Sequence, residues 1–84
     1  MSQIRVTVKF FTSLRAITGE REKTLFLPED SNMDYLLKDL INQYPELAKK
    51  IDYSFIVLNE EYPLKYTPLK EGDVIAIIPP ASDG

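Results

Sequence analysis

The chain has 84 residues, of which 44% are hydrophobic and 27% charged, with ten basic residues against thirteen acidic ones. That is room for one small domain with a modest core, in a composition that folds. The absence of histidine and cysteine excludes imidazole bases, thiol nucleophiles, disulfides, zinc fingers and iron–sulfur ligation, and a net charge of −3 argues against a general nucleic-acid binder.

Ile4, Val6, Val8 and Phe10 alternate with Arg5, Thr7 and Lys9, a period of two that predicts a half-buried strand with the first set inward. Phe11 then falls on the outer face or at the strand end. Thr12–Thr18 is a short connection with room for one helical turn, closed by Gly19. Glu20–Leu27 alternates more weakly, with Leu25 and Leu27 on one side and Phe26 on the other, and Pro28 stops it.

The clearest helix follows. Ser31 is the expected N-cap, with Asp34 three residues on as a variant capping box. Met33, Leu36, Leu37, Leu40, Ile41 and Tyr44 recur at helical spacing on one face, and Pro45 marks the end. Leu47–Ile51 suits another short turn. Phe55–Leu58 is an unbroken apolar run, the pattern of a central strand. Asn59-Glu60-Glu61 is a polar turn, Tyr62 begins the return, and Pro63 and Pro68 keep residues 62–69 irregular or at a sheet edge. A turn at Glu71-Gly72-Asp73 leads into the last strand, Val74–Ile78, which ends at Pro79-Pro80.

Strand, strand, helix, strand, short segment, strand is the α+β order of a β-grasp, the ubiquitin-like roll. A mixed four- to five-stranded sheet would carry one main helix on one face. A core of Val6, Val8, Phe10, Leu36, Leu37, Leu40, Ile75 and Ile77 is expected. Residues 1–80 make the domain, and residues 81–84 a flexible C-terminal tail. No apolar run is long enough for a membrane span and no basic leader precedes one, so a cytoplasmic protein off the membrane is expected.

Charge is unevenly spread. Residues 1–27 hold five basic side chains and two acids, whereas residues 58–84 hold five acids and two lysines. An ordinary solvated surface and an acidic region that meets a basic partner are both open readings. Little in the domain can carry chemistry. Glu60-Glu61 and the Glu71/Asp73 pair read as solvated loop acids, and the three glycines are too scattered to cradle a phosphate. No catalytic side chain, metal site or bound cofactor is expected.

The C-terminus differs. A strand runs into a stiff, extended proline pair, expected to lift the tail off the sheet. Ala81, Ser82, Asp83 and Gly84 follow, slim enough for a narrow channel and able to reach roughly 13–14 Å. On composition alone this is either a frayed end or an arm that delivers a carboxylate for activation.

The stretch Leu69-Lys70-Glu71-Gly72-Asp73-Val74-Ile75-Ala76-Ile77-Ile78-Pro79-Pro80, with its short tail to Gly84, resembles the C-terminal signature of the MoaD/ThiS family of ubiquitin-like sulfur carriers. Val6-Thr7-Val8-Lys9-Phe10-Phe11 with Leu14-Arg15, the Met33–Ile41 helix, Tyr44-Pro45-Glu46-Leu47 and Val57-Leu58-Asn59 resemble the members typified by the small subunit of molybdopterin synthase. The resemblance implies sulfur carried as a thiocarboxylate on Gly84 for molybdenum or tungsten cofactor synthesis. A ubiquitin-activating-type adenylating enzyme would use ATP to charge Gly84, and a large synthase subunit would take the tail into its active site. Strand alternation sends Phe11, Ala76 and Ile78 to the outer face of the sheet, and the resemblance puts Tyr62 near the partner-facing patch, so Phe11, Tyr62 and Ile78 are the expected partner-binding surface. One position departs: the family ends in Gly-Gly, and Asp83 stands in the penultimate place. Two alternatives follow, a carrier for thiazole synthesis, and a β-grasp interaction subunit or protein modifier whose charging is lost or altered.

Overall fold

The computed structural model describes residues 2–80. The tail residues Ala81, Ser82, Asp83 and Gly84 lie outside them. Strand β1 (Gln3–Phe10) is followed by helix α1 (Ser13–Thr18) and strand β2 (Glu22–Pro28). Helix α2 (Met33–Gln43), a 3-10 turn at Pro45–Leu47 and helix α3 (Ala48–Ile51) come next. Strands β3 (Phe55–Leu58) and β4 (Val74–Ile78) complete the order. Among the described residues the sheet has four strands in the order β2-β1-β4-β3. β1 is antiparallel to β2 and parallel to β4, and β3 is antiparallel to β4. The helices cover one face, and this is the expected β-grasp roll. No helix among the described residues is long and apolar enough to cross a membrane.

The alternation of β1 sends Ile4, Val6, Val8 and Phe10 into the core, where they meet Leu25 and Leu27 of β2 and Ile75 and Ile77 of β4. From the helix side Met33, Leu36, Leu40, Leu47 and Ile51 close over them. Of the expected core only Leu37 falls short; it is partly buried and packs against the cluster from its margin.

Two expectations are corrected. The cap of α2 is Asn32, not Ser31: the Asn32 side-chain oxygen accepts from the Tyr35 backbone N–H at 2.9 Å. Ser31 is buried in the preceding turn, its hydroxyl donating to the Pro28 carbonyl at 2.6 Å, so it has no freedom to cap. Asp34 makes no capping box; its carboxylate pairs with Lys38 at 3.0 Å one turn on, and that hydrogen bond and charge raise the Lys38 ammonium above its usual range. Replacing Asn32 by Ala leaves the Tyr35 N–H without this acceptor and should cost about 1 kcal/mol. Urea denaturation checks this, and Ser31→Ala, which leaves the cap in place, is the control.

The second correction is β3. Its apolar run suggested a central strand, but β3 is an edge, and Phe55 is 57% exposed. Ile56 and Leu58 pack against the core. Phe55 and Val57, opposite Ile78 and Ala76 of β4, lie on the other face.

Candidate functional site

Strand parity builds the open face of the sheet. With Val8, Phe10, Ile75 and Ile77 inward, Lys9, Val74, Ala76 and Ile78 turn outward, and cross-strand register adds Val57 and Phe55 beside them. Phe11 follows β1 and folds over the end of this row. The result is a groove of about 470 Å³, with Phe11, Val57, Val74 and Ala76 as its apolar wall and Lys9, Asn59 and Glu60 at its rim. Arg15, from α1, donates its Nε–H to the Phe10 carbonyl at 2.9 Å and sets its guanidinium 5.6 Å from the Phe11 ring centre. A cation so placed is attracted by the ring face and limits where Phe11 points.

The Glu60 rim is set by a tight turn. Leu58 and Glu61 exchange backbone hydrogen bonds of 2.7 and 3.0 Å across Asn59 and Glu60, whose φ values are 49° and 70°. A two-residue hairpin of type I′ has positive φ at both central positions, which asparagine tolerates and glutamate rarely adopts. The neighbouring loop holds it there. The Asn59 Oδ1 accepts from Val74 N–H at 2.9 Å, its Nδ2 donates to Asp73 at 2.8 Å, and Asp73 also accepts from Lys70 N–H at 2.7 Å. Asp73 is therefore spent on the turn. Glu71 is spent on β1, accepting from the Arg5 N–H at 2.7 Å. Gly72 between them has φ 85°, where any side chain would be strained.

The groove adjoins the root of the tail. Because β1 and β4 are parallel, their C-terminal ends lie together, and Phe11 N–H donates to the Ile77 carbonyl at 3.3 Å. Pro79 is buried, because alternation continues inward through Ile75, Ile77 and Pro79, and Pro80 is half-buried. The tail that the proline pair is expected to lift off the sheet lies outside the described residues.

Of the three residues expected on a partner-facing patch, Phe11 lines the groove. Ile78 is half-buried on the same sheet face, opposite Phe55. Tyr62, 77% exposed in the loop after β3, does not line the groove. Val57, Val74 and Lys9 belong to it and were not singled out from the sequence; the parity that places Ala76 outward would have found Val74. Among the described residues no three acidic, His or Cys side chains gather as metal ligands. The described surface offers an apolar groove on the open face of the sheet.

The ThiS family's sequence model matches residues 8–84. A protein of Chlamydomonas reinhardtii named molybdopterin synthase sulfur carrier subunit is 34% identical over 83 residues, covering 96% of this chain and all of that one. Two solved structures share the fold. The small archaeal modifier protein 1 of Methanosarcina acetivorans is 26% identical, with a TM-score of 0.83 over the whole of both chains. The complex of subunits 1 and 2 of the molybdopterin-converting factor of Helicobacter pylori holds a chain 25% identical. Its TM-score is 0.68 over 93% of this chain and 96% of that one.

Proposed function

Because this chain belongs to the ThiS family, we propose that it is a sulfur carrier, the small subunit of a molybdopterin synthase, which carries sulfur as a thiocarboxylate on Gly84. The observation that supports this most is the family match, which runs through the tail to Gly84, on a domain whose apolar groove adjoins the tail's root. The domain has a place to be gripped and an arm to present.

The chemistry assigns the work to partners. A carboxylate is a poor electrophile. In a ubiquitin-activating-type enzyme the Gly84 carboxylate attacks the α-phosphate of ATP, and pyrophosphate leaves. Hydrosulfide then attacks the acyl carbon and AMP leaves, giving the thiocarboxylate. In the large synthase subunit the thiocarboxylate sulfur attacks a carbon of a pterin precursor and displaces an oxygen leaving group, and water then cleaves the resulting thioester, leaving the sulfur on the pterin and the carboxylate on Gly84. All of this takes place in the cytoplasm. The carrier holds no cofactor of its own, and its lack of cysteine leaves no side-chain thiol to intercept the activated end.

The groove is the docking surface for the large subunit. Phe11→Asp and Ile78→Asp each set a charge into an apolar contact that must be dried on binding, and each should weaken affinity by about tenfold or more. Calorimetric titration with the large subunit measures this, and thermal unfolding of each variant verifies that the fold is kept. Unchanged affinity in both variants removes the groove from the interface.

A second reading has one observation in its favour, the structural likeness to a protein named as a modifier. In that reading a lysine amine of another protein attacks the activated Gly84 and an isopeptide forms. Charged carrier offered both the large subunit and cell protein separates the two: free carboxylate returns in the first case, and larger conjugates form in the second.

A further inference from the structure

The helical layer carries a second groove, on the side of the molecule away from the open sheet face. It runs between α1 and the segment formed by the 3-10 turn and α3. Its volume is about 440 Å³, and its lining is Ser13, Ala16 and Ile17 on one wall and Glu46, Lys49 and Lys50 on the other. The spacing explains the geometry. Leu14 of α1 and Leu47 and Ile51 of the facing segment are buried and anchor the two pieces to the core. On each piece a stripe at i, i+3, i+4 lines the groove, 13/16/17 and 46/49/50, and such positions are neighbours on a helix surface. The two stripes lie side by side. One is uncharged, with Ala16 exposed and Ile17 half-buried. The other carries two lysines against one glutamate, a local positive charge on a chain whose net charge is −3.

A groove with an apolar wall and a cationic wall fits one kind of occupant best. We propose that the α1–α3 groove is a docking surface for an acidic amphipathic helix of a protein partner. The partner's apolar side chains rest on Ala16 and Ile17, and its carboxylates lie along Lys49 and Lys50, toward the end of the stripe away from Glu46. The lining of this groove shares no residue with the sheet groove, so a partner held there leaves Phe11 accessible to other proteins.

The test is a titration of the full chain, followed by nuclear magnetic resonance of its backbone amides, with a synthetic helical peptide of leucine, glutamate and alanine. The expected result is shifts centred on residues 13–17 and 46–50. They should weaken at about 1 M salt, where the Debye length falls to about 3 Å. The double variant Lys49→Glu/Lys50→Glu should bind about tenfold more weakly, while the Phe11→Asp variant binds as the wild type does. A matching peptide with lysine in place of glutamate should not bind. Shifts centred on Val57, Val74 and Ala76, equal binding of the two peptides, or no shifts at all would each overturn the proposal. Because Phe11→Asp is included, failure here is separable from failure of the docking role given to the sheet groove.

Discussion

Deletion of Gly84 is expected to abolish ATP–pyrophosphate exchange by the cognate adenylating enzyme, and Asp83→Gly to raise the exchange rate with a family enzyme that ordinarily takes Gly-Gly ends. The first effect is the larger, because the deletion leaves the Asp83 α-carboxylate as the new end, one residue short of the place where the Gly84 carboxylate is activated, with a side-chain carboxylate on the residue to be adenylated. The second follows from charge. The Asp83 carboxylate stands one residue from the carboxylate to be activated, and the reaction brings the anionic phosphates of ATP to the same place. Two unit charges about 4 Å apart repel by about 1 kcal/mol in water and by more in a channel that excludes it. An enzyme matched to this carrier must therefore supply a cation, or a wider passage, at the penultimate position. Asp83→Asn separates the two: if charge is the obstacle the amide recovers most of the gain of glycine, and if width is the obstacle it recovers little. Exchange that is equal for the wild type and the Gly84 deletion would show that the tail is not the substrate.

The largest stability effect is expected at Leu40. Its side chain is fully buried where α2 crosses the sheet, in one cluster with Phe10, Leu36, Ile75 and Ile77. Leu40→Ala removes the contact and leaves a cavity that a short helix between two anchored ends cannot collapse to fill, so the cost should be about 2–5 kcal/mol. In a domain this small that is a large share of the whole stability. Urea denaturation measures it against Lys38→Ala, which removes the exposed Lys38 ammonium from its pair with Asp34 and should change stability far less. A cost at Leu40 no larger than at Lys38 would be incompatible with the packing described.

What the sequence made legible was what short-range periodicity encodes. Ile4 to Phe10 could only be a strand with one wet face, and Met33 to Tyr44 only a helix with one dry one. The misreadings lie where two local rules compete or where a face serves something other than the core. Ser31 and Asn32 are both good caps in adjacent positions, and the choice fell to Asn32 because the turn after Pro28 had already engaged the Ser31 hydroxyl. Phe55–Leu58 reads as central because it is apolar on both sides. One side faces the core, and the other faces the exposed groove that Val57 helps to line. The apparent central strand was thus itself a trace of the open apolar groove. Glu60 read as a loop acid, since nothing local to Asn59-Glu60 reveals that Val74 and Asp73, some fourteen residues on, hold the turn against the groove. Gly84 could be picked out only through likeness to a family, because periodicity singles out no terminal residue.

The claim on which the account rests is that Gly84 carries sulfur, and the most direct measurement is the intact mass of the protein purified without reducing or acidic treatment from its native cell. The account predicts a population heavier by the difference between a sulfur and an oxygen atom, with the added mass confined on fragmentation to the piece that contains Gly84. That population should vanish on incubation with the large subunit and a pterin precursor. A single species at the unmodified mass in cells that are actively making the cofactor would contradict it.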